Sequence, residues 1–415
     1  MYQTTKIFSL DTAVAAALGC LAVRIGVLTT SYPRWAGDAS GQFVAALNRY
    51  LVAAGHQVEV LSAGPAQPTR SPDDEAILSS RPGAVDEVCE SGVVVRRVPS
   101  ALFYAGGAPD ALAQGPAMWL EAARFTARLA RRFWAVQGRY EALVSHWLVP
   151  CGVLAERFAA RRPHIAIAHS SDIHLLRRLH GQSLVRWVSR RARLIYTADS
   201  LVVPGANGRV VPMGIDCAQL AGSPQQRQAA RAQLAVERPT ILFLGRLVPV
   251  KGVSVLLRSL CALPSAVLWL AGDGPLRAAL HDQVRALGLQ DRVQFLGSIA
   301  GDERRQRLWA CDVLAVPSVE LADGRSEGAP QVVLEGLAAG AHVVASRVGG
   351  IASLLGDAGW CVPPGDVPGW TAALAQALAT SVESRRAQAW AQVQRFDWSM
   401  VGPQIVGDAL DCRPR

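Results

Sequence analysis

Residues 24–63 hold three short pieces whose order decides the architecture: RIGVLTT at 24–30, QFVAALNRYLVAAG at 42–55 and HQVEVLSA at 56–63. The first and third are apolar runs of strand length, and the piece between them repeats its apolar residues at helical spacing behind a glycine-bearing loop. A strand, a helix and a strand in that order predict a right-handed β-α-β unit and hence a parallel sheet. Further strands are expected at VVVRRVP (93–99), ALVSH (142–146), HIAIAHS (164–170) and SLVVPG (200–205). Residues 63–91, rich in Pro, Ser, Gly and acids, read as a long surface loop. A second set begins at PTILFLG (239–245) and continues through AVLWLAG, RVQFLG, VLAVPS, HVVASRVGG and GWCVPPGD. The stretch between the sets, VPGANGRVVPMGID (203–216), is punctuated by Gly and Pro and forms the domain boundary. The expected fold class is therefore α/β, two doubly wound Rossmann-like parallel-sheet domains facing across a cleft, with ligands beyond the carboxyl ends of the strands.

The 415 residues are 50% hydrophobic and 18% charged, with 37 Gly and 24 Pro, which excludes disorder for the bulk of the chain and suits two or more domains. No run reaches the roughly 18 uncharged apolar residues of a spanning helix. Residues 1–22 lack the basic start and small-residue cleavage site of a signal peptide; they are expected to be an extension, disordered or not translated, with the first domain opening at Val23. Eight Cys residues without a C-x-x-C pair give neither a zinc site nor a disulfide scaffold, and they fit a reducing, cytoplasmic setting. Residues 1–205 carry 22 Lys and Arg against 15 Asp and Glu, whereas the remainder carries 20 against 18, so the first half is the one expected to meet something anionic. No nucleic-acid partner is expected. Of 42 basic residues only Lys6 and Lys251 are lysines, so Lys251 stands out from the habit of the chain.

Lys251 lies in GRLVPVKG (245–252), between a buried strand and the helix that follows. Arg246 and Lys251 leave opposite ends of a loop that closes on a helix N-terminus, where free N–H groups and the helix dipole already favour an anion. Two fixed cations there suit a diphosphate. AGDGPLR (271–277) ends the next strand, and RSEGAPQVVLEGLAAG (325–340) opens a later helix, with Pro330 at its first position and the N–H groups of Gln331, Val332 and Val333 free toward the cleft. Glu327 in the loop and Glu335 on the second turn are carboxylates able to accept from vicinal hydroxyls, one gripping a sugar and the other a ribose with the phosphates between.

GRLVPVKG, AGDGP, EGAPQVVLE and VVASRVGGI together resemble the donor half of the family 4 retaining glycosyltransferases of GT-B fold. TTSYPRWAGDASGQFVAALNRYLVAAGHQVEVL, HWLVPCG and AHSSDI are similar to acceptor-side segments of that family, so the likeness runs from about residue 23 to about 400. It implies an acceptor-side domain over 23–210, a nucleotide-sugar-binding domain over 211–395 and a helix within 396–415 that crosses back to the first domain. It also implies that Arg246 and Lys251 bind the donor diphosphate, Glu335 the ribose, and Glu327 with the backbone of Gly328 and Ala329 the transferred sugar. Gly245, Gly272, Gly274, Pro330, Gln331 and Val332 complete the implied donor set. His169 would sit by the reacting carbon, and the Gly37 to Gly41 loop, with Asp38 and with His146 nearby, would close from the acceptor side. Two departures stand out: GDASG replaces the adjacent glycines frequent in that loop, and Ser353 follows GGI-x where a Glu is frequent.

The implied reaction moves a sugar from a nucleotide-diphosphate sugar to a glycan or lipid-linked acceptor, as in surface polysaccharide biosynthesis, with retention. No cofactor and no metal are expected: the cations and the helix N-terminus would take the charge of the leaving nucleotide, and that phosphate would accept the acceptor's proton. Two other classes compete, another nucleotide-handling α/β enzyme and a sugar-nucleotide-binding protein without turnover. A dinucleotide oxidoreductase would want G-x-G-x-x-G after the first strand, and a pyridoxal-phosphate enzyme a separate lysine; neither is present.

His56 is expected on the turn entering the second strand, His164, His281 and His342 to be structural or on the surface, His146 to be either exposed in the cleft or packed, Trp35 and Trp147 to be core or else to stack on an acceptor sugar, and Asp172 and His174 to cap a helix. Arg124, Arg128, Arg131 and Arg132 recur at helical spacing with Leu129 and Trp134 elsewhere on the surface, and a second cluster runs from Arg157 to Arg193. These are solvated faces or, in the sharper reading, a docking surface for the anionic inner face of the cytoplasmic membrane.

Overall fold

The computed structural model describes residues 22–35, 38, 40–65, 86–88, 92–105, 111–112, 115–407 and 410. The extension over 1–21 and Gly37 lie outside the described residues. In the first domain the strands are β1 (Arg24–Leu28), β2 (Gln57–Gly64), β3 (Asp86–Val88), β4 (Val94–Pro99), β5 (Ala142–His146), β6 (His164–Ala168), β7 (Arg193–Tyr196) and β8 (Gly208–Val210). They form one sheet in the order β3-β4-β2-β1-β5-β6-β7-β8, parallel throughout except where β3 runs against β4. The second domain has β9 (Thr240–Leu244), β10 (Val267–Ala271), β11 (Val293–Gly297), β12 (Val313–Val316), β13 (His342–Ser346) and β14 (Trp360–Val362), in the order β11-β10-β9-β12-β13-β14 and all parallel. Strands such as TILFL and HVVAS are buried along their whole length because helices cover both faces, which is why they read as unbroken apolar runs.

Chain direction around the sheet reverses between β1 and β5 and again between β9 and β12, so each domain has one crevice where neighbouring crossovers diverge. The helices that matter for the crevices are α1 (Gln42–Ala53), α2 (Pro116–Val136), α3 (Ser170–Arg178), α4 (Val253–Leu260), α5 (Arg277–Ala286), α6 (Gly301–Ala310), α7 (Gln331–Ala339), α8 (Ile351–Leu355) and α9 (Trp398–Val406). The last of these leaves the second domain: Trp398, Val401 and Ile405 are buried in one cluster with Val44, Leu47 and Leu51 of α1. Gly402 permits this contact, because a Cβ there would stand 2.1 Å from the Tyr50 ring. Where the two domains meet, Ile215 and Asp397 form an isolated parallel bridge, with Ile215 N–H on the Phe396 carbonyl at 2.9 Å and Trp398 N–H on the Ile215 carbonyl at 3.1 Å.

Several expectations need correcting. SLVVPG is not a strand: residues 199–201 form a single 3-10 turn, Leu201 and Val203 fill a core cluster from the loop, and the strand of that unit is RLIY at Arg193–Tyr196. Its four residues are flanked by Arg on one side and a polar turn on the other, too little apolar length to signal itself. Of the loop expected over 63–91, the described residues include the end of β2 and the antiparallel β3, while 66–85 and 89–91 lie outside the described residues. Leu129 is fully buried under α2 rather than on the surface, and Trp35 is 59% exposed rather than core. Arg162 and Arg193 do not belong to a solvated face: Arg162 donates to the carbonyls of Ala159 and Phe158, and Arg193 to that of Gln404.

Candidate functional site

The crevice of the second domain is built by two laced loops. Gly245 N–H donates to the Ala271 carbonyl at 3.0 Å, Leu247 N–H to that of Asp273 at 2.9 Å, and Leu276 N–H to that of Leu247 at 3.0 Å. A Cβ on Gly272 would lie 1.8 Å from the Gly245 carbonyl oxygen, and one on Gly274 2.5 Å from that of Leu247. The amides of Gly245, Gly272 and Gly274 are all engaged within the protein, Gly272 with the Gly297 carbonyl and Gly274 with the Asp273 carboxylate. Gly272 and Gly274 therefore let the two loops approach each other closely. Gly252, with φ at 63°, ends the Lys251 turn against the Pro317 carbonyl, where a Cβ would stand at 1.9 Å. Val319 N–H, bonded to the Val250 carbonyl at 2.8 Å, straps the same turn to the loop that leads from β12 to Glu327.

That strapping brings together two residues far apart in sequence. Lys251 Nζ lies 2.9 Å from Glu327 Oε1, with side chains 18% and 15% exposed. Arg246, the other cation of the loop, is exposed. After Glu327 the chain is pinned by Gly349 and Gly350: a Cβ on Gly349 would sit 1.9 Å from the Glu327 carbonyl oxygen, and Gly350 N–H donates to the Gly328 carbonyl at 2.6 Å. Pro330 is the residue before the helix, with φ −70° and ψ 118°, rather than its first turn, and its carbonyl takes the N–H of Val333 at 3.1 Å. The amides of Gln331 and Val332 thus head α7 with no helical carbonyl before them, while Val333 is spent. The Gln331 side chain donates to the Gly214 carbonyl at 2.7 Å and anchors this helix start at the domain junction. Ala329 packs against the cores of both domains. On the next turn Glu335 is paired with Arg304 of α6, a partner that nothing in the charged run GDERRQRLWA singles out.

The first domain meets this loop at α3. A Cβ on Gly328 would lie 3.3 Å from Cβ of Ser170, the residue after His169, so the His169 turn and the Glu327 loop face one cleft. His169 precedes α3, where its N–H donates to Asp172 Oδ1 at 2.9 Å and Asp172 also takes the amides of Leu148 and Ile173. His146, undecided from sequence, is fully buried: its Nδ1 lies 3.2 Å from His169 Nε2, and the rings stack at 5.4 Å and 13°. Phe43 and Trp147 pack on His169, each with ring centroids 4.9 Å away. Burial drives the His169 imidazole down to about 3, and burial followed by the His169 neighbour takes His146 well below its ordinary value. Both rings are neutral at physiological pH, so the pair is a hydrogen-bonding unit and supplies no cation for a phosphate. Burial pushes Asp172 up to about 7 against the amide hydrogen bonds from Leu148, His169 and Ile173 that favour its charged form.

Asp38 organises its loop instead of projecting outward. It is buried and grips the Arg34 guanidinium at 2.7 and 2.9 Å, while Arg34 also donates to the Tyr104 carbonyl and lies 4.3 Å above the exposed Trp35 ring. Gly41, with φ at 68°, opens α1 beside the Ser31 carbonyl, where a Cβ would stand at 2.6 Å. A cavity of about 390 Å³ adjoins the Glu327 loop at the domain seam, lined by Arg177 and Arg178 from α3 and by Glu320, Asp323, Ser326 and Gly349 opposite. A second cavity of about 430 Å³, lined by residues such as Gly222, Arg386 and Trp390, contains none of the site residues.

Residues 238–380 match the family model described as glycosyl transferases group 1. The chain is 32% identical over 279 residues to a GDP-mannose-dependent alpha-(1-6)-phosphatidylinositol monomannoside mannosyltransferase of Mycolicibacterium smegmatis, a match covering 61% of this chain and 71% of the relative. Among solved structures, sucrose-phosphate synthase from Thermosynechococcus elongatus superposes with a TM-score of 0.73 at 20% identity, covering 92% of this chain and 97% of the other. The HepE protein of Anabaena, in complex with UDP-glucose, does so with a TM-score of 0.65 at 21% identity over 92% of this chain and 98% of its own. At these identities the two structures speak for the fold alone.

Proposed function

Since the chain belongs to the group 1 glycosyltransferases and has their GT-B fold, we propose that it moves a sugar, with retention of configuration, from a nucleotide-diphosphate sugar to a glycan or lipid-linked acceptor. The observation that carries this reading is the Lys251 and Glu327 pair at 2.9 Å, set beside the start of α7 in the crevice of the second domain. A diphosphate entering there would find Arg246, Lys251 and the amides of Gln331 and Val332; a hexose on it would find Glu327 and the backbone of Gly328 and Ala329. As the anomeric C–O bond breaks, negative charge grows on the leaving diphosphate, and fixed cations and amides stabilise that charge most when it is fully formed. This arrangement does the electrostatic work of a metal, so we propose a metal-independent reaction. His169, neutral and held by His146, would hydrogen-bond the transferred sugar from the acceptor side.

The test is calorimetric binding of GDP, UDP and ADP followed by transfer from their sugar conjugates, GDP-mannose and UDP-glucose among them, with the product anomer read by NMR. Binding of one nucleoside diphosphate and an α-linked product from an α-linked donor are expected. Absence of any nucleotide binding would remove the donor site, and binding without transfer would leave a sugar-nucleotide-binding protein.

The acceptor side carries a second feature. Leu120 and Trp134, 52% and 64% exposed, lie on α2 together with the exposed Arg124, Arg128 and Arg131. No described helix is long and apolar enough to cross a membrane, and this mixed aromatic and basic face suits attachment to an anionic cytoplasmic leaflet, which would bring the cleft to a lipid-linked acceptor. Flotation with phosphatidylglycerol vesicles is expected at low salt, with loss in high salt and on phosphatidylcholine; equal binding in all three would refute the electrostatic attachment.

A further inference from the structure

The pairing of Arg304 with Glu335 is not used by the reading above. Arg304 stands in the first turns of α6, just beyond the loop at the carboxyl end of β11, and that loop is tied to the AGDGP loop by the bond from Gly272 N–H to the Gly297 carbonyl at 2.7 Å. Glu335 projects from α7, whose first turn heads the crevice. The pair therefore bridges the two walls between which the nucleoside of a bound donor would lie. Its neighbours on α6 behave differently: Arg305 pairs with Asp302, and Arg307 with Glu303, within one turn of the same helix. Arg304 reaches instead to another helix, and its Nη2 donates to Glu335 Oε2 with the side chains 27% and 16% exposed.

A carboxylate offers two oxygens and about four acceptor positions. One position on Oε2 is taken, which leaves Oε1 and the rest of Oε2 open to a vicinal diol. Held this way, the Glu335 side chain gives up its torsional freedom when the protein folds and not when the ligand arrives, which is how preorganisation raises affinity. One guanidinium N–H on Oε2 fixes the place of that oxygen, and the planar, weakly hydrated guanidinium suits a half-buried pair better than a lysine ammonium does.

We infer that Arg304 is a positioning residue for nucleoside recognition: it holds the Glu335 carboxylate edge-on to a ribose diol and so makes the site select ribonucleoside diphosphates over their 2′-deoxy counterparts. The inference rests on the donor site proposed above, and its test separates the two. Full-length wild type, Arg304→Met and Arg304→Lys are titrated calorimetrically with GDP, UDP and ADP, with the three 2′-deoxy forms, and with inorganic pyrophosphate, which has no ribose. The wild type is expected to prefer the ribo form of its nucleotide about tenfold, as befits a hydrogen bond to a charged group. Arg304→Met should weaken the ribonucleotide about tenfold, bring the ribo-to-deoxy ratio near one and leave pyrophosphate binding unchanged. Arg304→Lys should fall between, and it carries the test if the methionine variant does not fold. A wild-type ratio in both variants overturns the inference, as does tighter ribonucleotide binding, which would mean that Arg304 competes with the ribose. If wild type binds neither nucleotide nor pyrophosphate, the donor site itself falls.

Discussion

Lys251→Ala is expected to lower kcat/KM for the nucleotide sugar by two to three orders of magnitude, about the cost of removing one preorganised donor from a developing charge. The lysine is held in place by the strap from Val319 to Val250 and by Gly252, so its ammonium is already positioned before the donor arrives. Its present partner is Glu327, so the substitution also leaves a carboxylate with little solvent and no ammonium beside it. The double variant Lys251→Met with Glu327→Gln separates the two effects. If Lys251 served only to neutralise Glu327, the neutral pair would recover nucleoside diphosphate binding, a readout that does not involve the sugar assigned to Glu327. Because the ammonium is assigned to the diphosphate, the double variant is expected to remain as weak in GDP, UDP or ADP binding as the single one, and recovery would overturn that assignment.

The second large effect concerns the shape of the site. Gly349→Ala places a Cβ 1.9 Å from the Glu327 carbonyl oxygen and 2.9 Å from that of Gly328, at φ +56°. A left-handed conformation alone costs a non-glycine residue about 1–2 kcal/mol. The clash with backbone must in addition push the Glu327 loop away from α8, so a total loss of about 3 kcal/mol or more is expected, a drop of about 6–12 °C in melting temperature for a domain of this size. Activity should fall with it, since Glu327 and the Lys251 pair ride on the displaced loop. Gly365→Ala is the control: its φ is +76° and nothing lies within 4 Å of the added Cβ. That variant should show only the backbone cost, about 1–2 kcal/mol, with unchanged kcat. Equal melting temperatures and equal activities for the two variants would mean that the contact with Glu327 does not shape the site.

Both effects depend on glycines and charges whose partners lie far away in the chain, which marks the limit of what could be read in advance. The strands of the second domain were legible almost to the residue, because a parallel sheet covered on both faces needs unbroken apolar runs such as TILFL and HVVAS. RLIY gives no strand signal of its own, because only Leu194, Ile195 and Tyr196 are apolar and their neighbours are arginines and a polar turn. SLVVPG reads as a strand because a buried loop and a buried strand can have the same composition; Leu201 and Val203 fill a core without joining a ladder.

Local pattern by itself determined the fold class, the two sets of β-α units and the position of the loops at strand ends, since periodicity and glycine punctuation are properties of neighbouring residues. The resemblance placed Arg246, Lys251, Glu327 and Glu335 in one donor site. Only the tertiary structure decided what stands beside these and the neighbouring groups: Glu327 beside Lys251, Arg304 beside Glu335, and His146 beside His169 Nε2. The same holds for the glycines, because Gly272 and Gly349 are required by carbonyls of Gly245 and Glu327 that approach from other loops. The physical reason is that burial, ion pairing and close backbone approach are set by distances in space, and the switch of strand order that brings these loops to one crevice leaves no trace in the local sequence of any of them.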